Sequence, residues 1–231
     1  MSFRRLVIAL VVLAVLLVGG DRAGAAVAEG RIAERVPCHT GQDADVSING
    51  VPFLSQAAGG TYDDIGVTCA PFAFGTITDA TLNLHLSGVH VALGEALNGP
   101  SQVPVDLLTA RLFVPYASLA KSSPVPGLAL SYEDGHVAVA APINAPFAGS
   151  IDVTAIGEFT DPGDGVTLSL RDFKAKGAEL PQAISGLVSA FTKIRILQNA
   201  PYGIRIVSAT PTPTGVVFDG RAVGVVLRRT S

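Results

Sequence analysis

Residues 82–93 read Leu-Asn-Leu-His-Leu-Ser-Gly-Val-His-Val-Ala-Leu, and the phase of their apolar positions decides what kind of sheet this chain builds. Leu82, Leu84 and Leu86 alternate with Asn83 and His85, the period of two that turns one face of a strand to a core and the other to water. After Ser87-Gly88 the apolar set resumes at Val89, Val91 and Leu93, on the opposite parity. A change of phase at a glycine reads as a β-bulge, because one inserted residue turns every later side chain to the other side. A long strand interrupted in this way bends, so the sheet is expected to curl around something rather than lie flat.

The same period runs outward in both directions. Val46 and Ile48, then Ile65, Val67 and Cys69, alternate with polar or small neighbours. Further strands are expected at Val103–Val114, Leu128–Tyr132, Val137–Ala141, Ile151–Phe159, Val166–Leu170, Ile204–Ser208 and Val216–Leu227. Asp134-Gly135 is a strong hairpin signal, and the run Asp161-Pro-Gly-Asp-Gly165 and the later Pro/Thr turn join two more pairs, so antiparallel order follows. Three short helices each open near a proline, at Pro52–Ala58, Pro115–Lys121 and Pro181–Phe191. The last carries Ile184, Leu187, Val188 and Phe191 at i, i+3, i+4 and i+7, a stripe that either packs a core or walls a ligand groove. A further helix spans Asp21–Val36 and stops at Pro37. With no internal repeat or low-complexity linker, the expectation is an α+β chain with one domain over residues 26–231.

Arg4 and Arg5 precede an apolar run from Leu6 to Val18, and Ala23-Gly24-Ala25-Ala26 follows, the order of a secretory signal. Its 13 apolar residues make roughly 20 Å of helix against a hydrocarbon core of about 30 Å, which favours a signal over residues 1–25 that is cleaved. An uncleaved N-terminal anchor is the alternative. Either way the chain is expected to be exported to a cell-envelope or periplasm-like space. Cys38 and Cys69 agree, since an oxidising compartment lets a pair persist as a disulfide, while two buried free thiols are the other reading. Without residues 1–25 the chain carries 13 basic and 18 acidic side chains, net −5, which argues against a nucleic-acid partner or a membrane partner recruited by charge.

Little in the sequence points to reaction chemistry. His39, His85, His90 and His136 form no spaced cluster with thiols or carboxylates, so no metal is expected. No G-x-S-x-G elbow, phosphate-binding glycine loop or H-E-x-x-H motif is present, and no cofactor is implied. Asp43 with Asp45 and Asp63 with Asp64 are the tight acidic pairs of the early region, readable as acid/base or calcium groups or as ordinary solvated aspartates.

The run Asp45-Val-Ser-Ile-Asn-Gly-Val-Pro-Phe-Leu-Ser-Gln-Ala-Ala-Gly-Gly-Thr-Tyr-Asp-Asp-Ile65 resembles the signature of the LmeA-like phospholipid-binding family of actinobacterial envelope proteins. Ala28-Glu-Gly-Arg-Ile-Ala-Glu-Arg35 resembles that family's leading amphipathic helix, and Ala200-Pro-Tyr-Gly-Ile-Arg-Ile206 its late strand-opening motif. Pro37, Cys38 and His39 depart from a smoother run into the first strand. The resemblance implies a long curved antiparallel sheet wrapped around a helix, like half of a tubular (TULIP-like) lipid-binding domain. It also implies non-catalytic phospholipid binding or transfer in envelope or lipoglycan biogenesis, with a membrane surface as partner. On that reading Phe53, Leu54, Ile184, Leu187, Val188 and Phe191 line or cap an acyl-chain groove. The alternatives are an envelope enzyme on a lipid-linked glycan, using Asp63 or Asp64, and a structural partner-binding domain.

Overall fold

The computed structural model describes residues 3–34, 38, 44–98, 100–123, 125–145, 149–160, 165–175, 178–179, 193–198 and 203–228. Along the chain run α1 (Phe3–Ala33), β1 (Asp45–Asn49), α2 (Phe53–Gly59), β2 (Thr61–Phe74), β3 (Ile77–His90), α3 (Leu93–Asn98), β4 (Gln102–Pro115) and α4 (Tyr116–Ser122). There follow β5 (Ala129–Glu133), β6 (His136–Ala145), β7 (Gly149–Thr160), β8 (Gly165–Ala175), β9 (Ala178–Glu179), β10 (Lys193–Gln198), β11 (Arg205–Thr212) and β12 (Gly215–Arg228).

Period-two strands joined by tight turns give antiparallel ladders throughout. The first sheet has the order β1-β2-β3-β4-β12-β11 and the second β10-β8-β7-β6-β5, with β9 on β8. At the β5–β6 turn Asp134 and Gly135 both take positive φ, 46° and 86°, as a two-residue hairpin loop requires. The antiparallel α+β expectation therefore holds. The helix expected over residues 181–191 lies outside the described residues.

Gly88 adopts φ 63°, and the buried positions of β3 change parity there, from Leu86 to Val89. The register does not slip, which corrects the single-strand bulge. Tyr62 pairs with Val89 and Asp64 with Ser87; Ser87 pairs with Leu107 and Val89 with Val105; Leu107 and Val105 pair with Val223 and Val225. Buried positions change parity on the neighbours too, from Tyr62 to Val67, Val105 to Leu108 and Ala222 to Val225. A bulge in one strand shifts its partner's register. A crease shared by β2, β3, β4 and β12 changes which side chains face the core and leaves the pairing intact.

Two cores result. The first gathers Ala25 and Ala28 of α1 with Val46, Ile48, Phe53, Tyr62, Val67, Cys69, Leu86, Val89, Val105 and Leu108. The second joins the sheets, setting Ala80, Val114, Val216 and Phe218 against Val137, Val139, Ala155, Val166 and Leu168. Phe159 of the second sheet meets Phe218 of the first edge-on, with ring centroids 5.8 Å apart. Gln56 ties α2 down, its Oε1 accepting from the Asp63 amide at 2.8 Å.

The short helices after Pro52 and Pro115 fall within a residue of their expected positions. α3, β9 and β10 were not expected. Leu93 opens α3 instead of ending a strand, because a short apolar–polar alternation does not distinguish a strand end from a helix start.

Candidate functional site

The candidate site lies on the apolar face of the first sheet. Alternation puts Ile65, Val67 and Cys69 of β2, Leu82, Leu84 and Leu86 of β3, and Leu108, Ala110 and Leu112 of β4 on one side. Register then lines them up in rows. Cys69, Leu82, Leu112 and Phe218 form one; Val67, Leu84, Ala110 and Gly220 the next; Ile65, Leu86, Leu108 and Ala222 the third.

The first two rows are closed at both ends, and the third is closed from Leu86 to Ala222. Val67, Cys69, Leu86, Leu108 and Phe218 are buried, whereas Leu82, Leu84, Ala110 and Leu112 are only half-buried. Leu82, Leu84 and Ala110 pack against the first core and Leu112 against the second. The middle of β3 and β4 thus carries an aliphatic band with part of its area uncovered. Neighbouring strands lie about 4.8 Å apart and alternate residues about 7 Å, a footprint on the scale of an alkyl chain.

The opposite face shows which side the sheet gives to water. There Thr68 donates to Asn83 Oδ1 at 2.9 Å, Arg111 Nε donates to Asp219 Oδ1 at 2.7 Å, and Ser208 donates to Asp219 Oδ2 at 3.0 Å. His85 and His90 face solvent beside carboxylates. His85 Nδ1 is 3.5 Å from Asp64 Oδ1, and His90 Nε2 is 3.1 Å from Asp106 Oδ1. An antiparallel sheet with one wet face normally closes the other. Half-buried leucines on the dry side are the departure from that rule.

Of the residues expected to line a groove, Phe53 is buried at 2% exposure and packs against Tyr62, ring centroids 6.3 Å apart. Leu54, one position on, is 53% exposed. Ile184, Leu187, Val188 and Phe191 lie outside the described residues. The band itself was missed as a site. Leu82, Leu84, Ala110 and Leu112 are visible in the sequence as apolar positions, but their convergence depends on the β3–β4 register.

Asp63 and Asp64 do not form an acid/base pair facing this band. Asp64 accepts from Asn49 Nδ2 at 2.7 Å and sits with His85 on the polar face, while Asp63 is exposed. Asp43 and His39 lie outside the described residues, and Asp45 is exposed on β1. Among the described residues no group of three His, Cys, Asp or Glu side chains gathers as a metal site would need.

Cys38 and Cys69 are joined as a disulfide, Cα to Cα 5.6 Å, pinning the segment before β1 to the middle of β2. That settles the choice between a bridge and two thiols. Among the described residues no helix is long and apolar enough to cross a membrane.

A family model described as LmeA-like phospholipid-binding matches residues 19–221. No curated protein and no solved structure matches the chain.

Proposed function

Because the chain belongs to the LmeA-like phospholipid-binding family, we propose that it holds a phospholipid by its acyl chains against the band of Leu82, Leu84, Ala110 and Leu112, without reacting with it. The observation that carries this reading is the uncovered part of that band, on the face that should be dry. Each methylene removed from water contributes about 0.8 kcal/mol, so ten of them give about 8 kcal/mol toward holding a chain. The family's description as binding fits a protein that is not an enzyme.

The wider reading is a carrier or presenter of phospholipid in the cell envelope, working at a membrane surface and supporting lipoglycan or envelope assembly. The Cys38–Cys69 disulfide supports an oxidising compartment outside the cytoplasm. The creased first sheet supports the tubular lipid-binding comparison, with Leu54 and the stripe Ile184, Leu187, Val188 and Phe191 as the expected cover.

The test is native mass spectrometry of protein extracted gently from a bacterial envelope, paired with thermal melting in the presence of phospholipid vesicles. Bound mass in the phospholipid range, and a melting temperature that rises with lipid by mass action, are expected. Lipid-free protein that gains no stability from any vesicle composition would refute the reading.

A further inference from the structure

The helix α2 has no cap of its own. Its N-cap residue, Pro52, makes no side-chain cap hydrogen bond, so the first amides of the helix need an acceptor from elsewhere. Asp21 of α1 supplies it from more than thirty residues upstream: Oδ2 accepts from the Phe53 amide at 2.9 Å and Oδ1 from the Leu54 amide at 2.7 Å. The Asp21 residue is 4% exposed, and those two amides, Leu54 first, hold its carboxyl below the usual aspartate range.

The neighbouring turns of α1 are equally engaged. Arg22 Nη2 donates to the Gly50 carbonyl at 2.6 Å, and Glu29 Oε1 accepts from the Ile48 amide at 2.7 Å. Because, among the described residues, β1 pairs only with β2, Glu29 satisfies an amide that the edge strand would otherwise present unpaired. Ala25 and Ala28 are each 3% exposed in the first core. A Cβ at Gly24 would stand 3.5 Å from the Phe53 ring, so the helix is already in contact there. The family match also begins upstream of these residues, at position 19.

We propose that residues 21–33 are a permanent part of the folded domain, so that the Ala23-Gly24-Ala25 sequence is not used as a processing site and any cut falls before Asp21. A cut after Ala25 removes both acceptors of the Phe53 and Leu54 amides, the Arg22–Gly50 bond and a buried methyl in one step. Just ahead of Asp21 the helix has no such engagement: Val18 is 57% exposed, and nothing lies within 4 Å of a Cβ built at Gly19 or Gly20.

The test expresses the full chain with a C-terminal tag in a secreting bacterium and reads the first residue of envelope-recovered protein by intact mass and terminal peptide mapping. Ala23→Asp accompanies wild type, because Ala23 is exposed and the substitution spoils a small-residue cleavage signal without touching the core. A first residue at or before Asp21, the same in both proteins, is expected. Protein beginning at Ala26, with that product abolished by Ala23→Asp, would overturn the proposal. In a second arm, Asp21→Ala in the full chain should speed hydrogen exchange at the Phe53 and Leu54 amides roughly tenfold, the scale of a lost N-cap. Unchanged exchange at those two amides would also overturn it.

Discussion

Leu84→Asp places a carboxylate in the half-buried band while leaving the β2–β3–β4 ladder intact, and separates a lipid-contacting position from an ordinary core position. In lipid-free protein the new charge reaches water along the uncovered side of Leu84, so folding is retained with a modest loss of melting temperature. Covering the exposed half of a leucine contributes on the order of 1 kcal/mol to a bound chain, since full burial contributes about 1.5–3. Burying the substituted carboxylate beneath the ligand costs about 1–3 kcal/mol more. Together these weaken binding by about 2–4 kcal/mol, roughly 30- to 1000-fold in Kd. Leu108→Ala, in the adjacent row at 2% exposure, is the contrasting control, costing about 2–5 kcal/mol of stability through lost burial and a cavity. The assay is titration with a fluorescent phospholipid, favoured by the absence of tryptophan, alongside circular-dichroism melts. Wild-type affinity in a folded Leu84→Asp protein would refute the assignment, and so would a Leu84→Asp protein as unfolded as a core variant.

Other outcomes follow from single contacts. Cys38→Ser or reduction should cost about 3–4 kcal/mol in urea unfolding, the chain-entropy value for the 31-residue separation of the bridge, and little change would refute that contribution. Asp21 sits below its ordinary value of 3.8 because of the Leu54 and Phe53 amides, so its contribution is present above about pH 4 and is lost as pH falls through the lower folded value. Acid unfolding followed from pH 5 to pH 2 should therefore be shallower in Asp21→Ala, and parallel curves would count against the cap. At Gly88 a Cβ would overlap the Asp106 side chain at a φ of 63°, so Gly88→Ala should lower the melting temperature, with partial recovery when Asp106→Ala is added. No recovery in the double variant would leave backbone conformation as the whole cause.

Much of the architecture is local and is legible in the sequence. The alternation at Leu82, Leu84 and Leu86 specifies a half-buried strand, Asp134-Gly135 a tight hairpin, and Pro52 and Pro115 the openings of two short helices, because each signal acts over a few neighbouring residues. The motif at residues 45–65 carried the family for a similar reason, being one uninterrupted run. Long-range partners were not legible. The phase change at Gly88 looked like a bulge in one strand and proved to be a crease across four, since one strand's sequence does not report its neighbours' parity. The aliphatic band was written as scattered alternate residues, and only strand register brought them together and only packing left them half covered. Asp21 read as the first residue of a helix, and tertiary structure made it the cap of another helix that begins 32 residues later. Sequence determines which side chains a strand or helix turns to one side. The contacts between distant segments, each set by packing and by the need of buried amides for acceptors, decide what those side chains meet.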